Sequence, residues 1–150
     1  MKIAIACDHA GRIIKNSIIE HLKAQGHEVL DFGVHDDNPV DYPDYAVTVA
    51  ENVAQGKAKR GILICGTGIG MSITANKVKG IRCALCSDTF SARATREHND
   101  ANILAFGERV VGGGLAIDIV DAFINTEFSQ AERHQNRIDK ISQVESKYFK

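Results

Sequence analysis

Cys65 ends an apolar run and begins a glycine-rich turn, Ile62-Leu63-Ile64-Cys65-Gly66-Thr67-Gly68-Ile69-Gly70-Met71-Ser72. An apolar run bounded by glycines reads as a buried parallel strand. Glycines directly after it let the backbone turn sharply and leave N–H groups uncovered at a helix N-terminus, where anions bind. A cysteine in that field is stabilised as a thiolate. The segment therefore offers a base or nucleophile beside an anion hole, the pairing an enzyme needs for a small anionic substrate. It is not a dinucleotide fingerprint, because Met71 stands where the third glycine belongs, and no Gly-Lys-Ser/Thr follows to make a phosphate loop. A plain tight turn is the simpler reading, but glycine at 66, 68 and 70 favours close ligand approach.

Further polar groups fall at element ends. Asp8-His9 follows the first apolar run, where Asp is a good helix N-cap and has room for a second role at a ligand edge. His98-Asn99-Asp100 closes a helical pattern, where a histidine also complements the helix dipole. In the last helical pattern, Ile138, Ile141, Val144 and Tyr148 form one stripe at 100° per residue, and Arg133, His134 and Arg137 fall on the same face. Arginines on a docking face need an anion. A carboxylate of the body or of a second subunit serves, and so does a phosphate matched to the guanidinium fork. Spacing alone leaves both open. Cys83-Ala84-Leu85-Cys86 matches C-x-x-C but lacks the partners of a zinc site, and reads as buried structural thiols on opposite faces of a strand.

These residues must be positioned by alternating strands and helices. Strands are expected at Lys2–Cys7, Glu28–Phe32, Gly61–Cys65, Arg82–Cys86 and Asn102–Phe106. Helices are expected at Ala10–Gln25, Tyr42–Gln55, Met71–Lys77, Thr89–Glu97, Gly112–Ile124 and Glu132–Tyr148. Regular alternation with short connections implies an α/β domain with a five-stranded parallel sheet covered on both faces. Ligands of such sheets bind outside the carboxyl ends of the strands, which directs attention to Asp8-His9, Cys65–Gly68, Ser87-Asp88 and Gly107–Arg109.

With 150 residues, a net charge of −1, no Trp and no repeat or linker, the chain reads as one domain, 1–150, without the positive field that recruits nucleic acid or membrane. The apolar N-terminal run is broken by Asp8-His9, and no segment approaches a membrane span, so the expected location is the cytoplasm. There the cysteines are expected to be thiols.

Taken together, Cys7–Gly11, Asp41-Tyr42-Pro43, Cys65–Ser72, Asn76-Lys77, Arg96–Asn102, Leu104–Gly107 and Arg133–Arg137 resemble the type B ribose-5-phosphate isomerases of the ribose/galactose isomerase family, nearly end to end and in order. The resemblance implies a Rossmann-like three-layer αβα fold. It also implies an aldose–ketose isomerase that interconverts D-ribose 5-phosphate and D-ribulose 5-phosphate without cofactor or metal. A homodimer (a tetramer in some members) would build its sites across the subunit interface, with helix 132–148 packing on the partner. By the same resemblance Cys65 is the proton-abstracting base, with Thr67 among the catalytic residues. His98, assisted by Asp8, opens the furanose. Gly66, Gly68, Ile69 and Gly70 belong to the loop holding the enediolate oxygens, Asn99 holds the sugar, Tyr42 lies near it, and His9, Arg109, Arg133 and Arg137 bind phosphate. An isomerase of galactose or allose 6-phosphate is the nearest alternative. A non-catalytic phospho-ligand protein is the other, and it leaves Cys65 without a task.

Overall fold

A computed structural model describes residues 1–149. In chain order the elements are β1 (Lys2–Cys7), a 3₁₀ turn (His9–Gly11), α1 (Arg12–Ala24), β2 (Glu28–Asp31), α2 (Tyr42–Ala54), β3 (Arg60–Cys65), α3 (Ile69–Ala75), β4 (Cys83–Leu85), α4 (Thr89–Asn99), β5 (Ile103–Gly107), α5 (Gly113–Ile124) and α6 (Glu132–Tyr148). All strand pairs are parallel, in the order β2-β1-β3-β5-β4. The α/β fold and its five-stranded parallel sheet agree with the alternation read from the sequence.

The period-2 pleat divides the core in two. Ile3, Ile5, Ile62, Ile64, Leu104 and Phe106 face α1 and α5, whereas Ala4, Ala6, Leu63, Cys65, Ile103 and Ala105 face α2 and α3. Every residue of β3 is buried, as a central strand covered on both faces requires. Cys83 packs on one core and Cys86 belongs to the other, so the C-x-x-C pair is split between faces.

Several boundaries shift for local reasons. A 3₁₀ turn precedes α1 because the Asp8 Oδ1 accepts the Ala10 N–H at 2.9 Å, and a Cβ on Gly11 would lie 2.7 Å from Ile64 Cγ2. Strand β4 starts after Arg82, whose N–H is taken by the Asn102 side chain at 2.8 Å. Helix α3 begins at Ile69 rather than Met71, since Gly68 at φ 78° caps it in the left-handed region.

Successive strands move outward from β1 to β2, then return to β3 on the other side of β1. The winding therefore reverses between β1 and β3. Asp8 follows Cys7, the register partner of Ile64, and donates its N–H to Ile64 O at 3.1 Å. Asp8 and Cys65 thus leave the sheet side by side at the crevice where such folds bind ligands. No helix among the described residues is long and apolar enough to cross a membrane.

Candidate active site

Cys65 is held at the end of β3 with its Sγ accepting the Gly68 N–H at 3.0 Å. Only a chain that doubles back within three residues places a backbone donor on that sulfur, and the positive φ of Gly68 makes this turn. Burial pushes Cys7 and Cys86 up to about 11, and raises Cys83 as well. Cys65 is the thiol that the glycine loop encloses at the strand-end crevice.

Close packing explains the glycines around it. A Cβ on Gly68 would lie 2.6 Å from Leu85 Cδ1 and 2.7 Å from Phe106 Cα, and one on Gly70 would strike the Tyr42 ring. Tyr42, in the first turn of α2, thereby covers the loop while staying partly exposed. Thr67 is exposed, and its Oγ1 accepts the Ile69 N–H at 3.3 Å. The chain after β5 follows the loop closely: Glu108 N–H donates to Cys65 O at 2.9 Å and Arg109 N–H to Gly66 O at 3.0 Å. This puts the Arg109 guanidinium against Gly66, where an added Cβ would meet Nη1 at 3.4 Å. His9 is exposed beside the crevice, its Nδ1 accepting the Val40 N–H at 3.4 Å. A cavity of about 210 Å³ adjoins the loop between Thr67, Ile69, Leu85, Cys86 and Val110. Asp88 is a plain N-cap of α4, accepting from Ser91 N–H at 2.6 Å.

The remaining candidates lie elsewhere. Helix α4 begins at the carboxyl edge of the sheet and runs back 11 residues, about 16 Å at helical rise, to the opposite edge. There Asn99 O accepts from Arg82 Nε at 2.8 Å, and Arg82 directly precedes β4. His98 and Asn99 are therefore remote from Cys65 in the same chain, and Asp8 cannot assist His98 within one chain. Arg96, one of the residues carrying the family resemblance, is structural: buried, it donates to Asp100 Oδ1 at 2.8 Å and Thr126 O at 3.1 Å, fixing the end of α4.

Arg133 and Arg137 join His98 at this second place through α6. His134, between them in sequence, is buried with its ring centroid 4.4 Å from that of His98. Of the expected apolar stripe only Ile138 is buried; Ile141, Val144 and Tyr148 are exposed at 49%, 59% and 67%. A 17-residue helix that packs chiefly on α4 leaves most of its apolar face uncovered. Arg133 and Arg137 are exposed and make no ion pair among the described residues, so the carboxylate of the body allowed by their spacing is not their partner. The larger groove of the molecule, about 520 Å³, runs between α6 and the start of β4 and is lined mainly by apolar side chains such as Ile81, Ile141 and Val144. Its lining includes Cys83 but neither Cys65 nor the glycine loop.

A model of the Ribose/Galactose Isomerase family matches residues 3–141. The chain belongs to this family. Ribose-5-phosphate isomerase B of Escherichia coli (strain K12) is 50% identical over 146 residues, which span 97% of each chain. The solved structure of Clostridium thermocellum ribose-5-phosphate isomerase B matches with a TM-score of 0.96 and 55% identity, over 99% of both chains. The galactose-6-phosphate isomerase subunit LacB of Clostridium acetobutylicum is 42% identical over 144 residues, covering 96% of this chain and 83% of that one. The chain is accordingly an enzyme, a sugar-phosphate isomerase of the aldose–ketose type, with a Rossmann-like fold. That membership sets aside the non-catalytic alternative.

His134 is the residue that sequence reasoning left without a role. Its place three residues before buried Ile138's neighbour Arg137 marked the right face, but only the fold brings its ring against His98.

Proposed function

We propose that the enzyme interconverts D-ribose 5-phosphate and D-ribulose 5-phosphate through an enediolate, with Cys65 as the base. The observation that carries this reading is the Cys65 Sγ held by the Gly68 N–H at the strand-end crevice. Isomerisation removes a proton from C2 and returns it to C1, so one base serves both steps, and developing negative charge on the two oxygens needs preorganised donors. The thiolate takes the proton, and the glycine loop from Gly66 to Gly70, with Thr67, faces the enediolate. The reaction is redox-neutral and transfers no group, so this mechanism assigns no step to a cofactor or metal.

A complete site requires two copies of the chain. Cys65, Asp8, His9, Tyr42 and Arg109 lie at one edge of the sheet, while His98, Asn99, Arg133 and Arg137 lie at the other, so a homodimer supplies both sets to one substrate. The partner subunit's His98 opens the furanose with Asp8 across the interface, and its Asn99 holds the open sugar. Phosphate is bound by guanidinium forks and His9. The uncovered apolar face of α6 supports this arrangement, since it needs a protein surface to cover it.

A hexose 6-phosphate is the second reading, favoured by the 42% identity to a galactose-6-phosphate isomerase subunit. One extra CH₂OH separates the substrates, a modest discrimination. Comparing kcat/KM for ribose 5-phosphate with that for allose and galactose 6-phosphates tests the assignment. A higher value for either hexose overturns it.

A further inference from the structure

His134 is buried at 5% exposure, yet it is a titratable ring to which the proposed reaction gives no task. Its Nδ1 lies 2.7 Å from Ser129 Oγ, and that hydroxyl already accepts the Ala131 N–H at 3.2 Å. The Ala131 N–H occupies one lone pair of that oxygen, and the hydroxyl's remaining lone pair and its proton pair with His134 Nδ1 in either ring tautomer, so the contact fixes the ring plane. Burial, then Arg133, His98 and Arg137, hold the imidazole below its usual range; Glu97 opposes them. Ser129 is in turn tied to α4, donating its N–H to Glu97 O at 3.2 Å. The loop before α6 and the end of α4 therefore move as one unit.

Against this fixed ring lies His98, its own side chain about half exposed, with centroids 4.4 Å apart and planes inclined at 39°. Glu97 is its other close neighbour, at 4.0 Å from Nε2. A half-exposed imidazole on the last turn of a helix otherwise rotates freely about its side-chain bonds, and catalysis by proton transfer depends on orientation.

We propose that His134 is a positioning residue for His98: a buried ring clamped by Ser129 that sets the orientation of the His98 imidazole. This rests on the reading of His98 as the ring-opening group, but the contact itself can be tested without it. It also explains why a histidine rather than an aliphatic residue follows Arg133: the position needs a flat ring with one polar atom for Ser129.

The test uses ¹⁵N-histidine spectra and steady-state kinetics on the full-length wild type and on His134→Ala, His134→Phe and Ser129→Ala. In the wild type, His134 should show a single, unaveraged tautomer. His134→Ala should move the His98 ring resonances to those of a freely rotating histidine and lower kcat for ribose 5-phosphate about 10-fold, with KM changed less than about twofold. His134→Phe keeps the ring but loses the Ser129 bond, so it and Ser129→Ala should both fall between the alanine variant and the wild type. Unmoved His98 resonances in His134→Ala overturn the proposal. So does a His134→Phe enzyme as slow as the alanine variant, or a raised KM with unchanged kcat, which would place His134 on the substrate itself. Should His98→Ala retain full activity, the ring-opening reading fails, and the spectra alone then decide whether His134 orders His98.

Discussion

At the carboxyl edge of the sheet, the Cys65 loop does its work with backbone. Its key donor is a peptide N–H, its glycines leave no side chains in the way, and its geometry follows from the buried strand before it. At the opposite edge, the end of α4 and the start of α6 present side chains: His98 against His134, and two exposed arginines that make no ion pair among the described residues. The first region is rigid because main-chain hydrogen bonds from Asp8, Glu108 and Arg109 fix it. The second is ordered by one ring contact, the Arg96 and Arg82 bonds to the α4 end, and a serine. A proton-transfer base needs the former kind of placement. Recognition of a doubly charged phosphate needs the latter, because long guanidinium side chains reach from a distance.

Removing the base should separate the regions most sharply. Cys65→Ala is expected to lower kcat by about 10²–10⁴-fold while leaving thermal unfolding and substrate binding nearly unchanged, as loss of a positioned general base predicts. Near-wild-type turnover in the purified variant would take Cys65 out of the mechanism.

The division between regions is itself testable by mixing. Cys65→Ala and His98→Ala chains, each impaired alone, should regain activity when refolded together, because a mixed dimer has one site with both groups intact. With half the dimers mixed and half of their sites intact, about a quarter of wild-type activity is expected for a two-fold dimer. No recovery, alongside confirmed mixed dimers by mass, would mean the two sets do not share a substrate.

Arg137→Ala should act on binding. Phosphate is present in ground and transition states alike, so KM for ribose 5-phosphate and the inhibition constant for inorganic phosphate should rise, by about 10-fold, with a smaller change in kcat. Unchanged phosphate affinity with a broken dimer would reassign the arginine to the subunit interface.

His98→Ala should slow ribose 5-phosphate more than ribulose 5-phosphate, compared as kcat at saturation, because the ketose cannot form the same ring. Equal losses in both directions would favour stabilisation of the enediol instead. The smallest effect concerns the remaining thiols. Their raised values keep Cys7 and Cys86 protonated below about pH 11, so alkylation at pH 8 should modify Cys65 first, as peptide mapping would show.

Much of the carboxyl-edge region was legible in sequence because its signals are local. The apolar run before Cys65, the glycines after it and the Asp8-His9 pair mark a strand-end crevice within short windows. Boundaries slipped at a local cap, as at Gly68 before α3, and where tertiary contacts intervened, as at Gly11 against Ile64 or at Arg82, whose N–H is taken by Asn102. The second region was less legible. Helical periodicity put Arg133, His134 and Arg137 on one face, but it could not say which of them is buried or what His134 touches, because its neighbours on α4 lie more than 30 residues away.

By itself the sequence determined the α/β alternation, the strand-end position of Cys65 and the family resemblance, since these depend on hydrophobic period and on short runs of residue types. The tertiary structure alone decided that His98 and Cys65 stand at opposite edges of one sheet. The reason is the antiparallel return of α4 along parallel strands: each helix carries the chain back across the sheet, so a residue at a helix end lies a full strand length from a residue at a strand end.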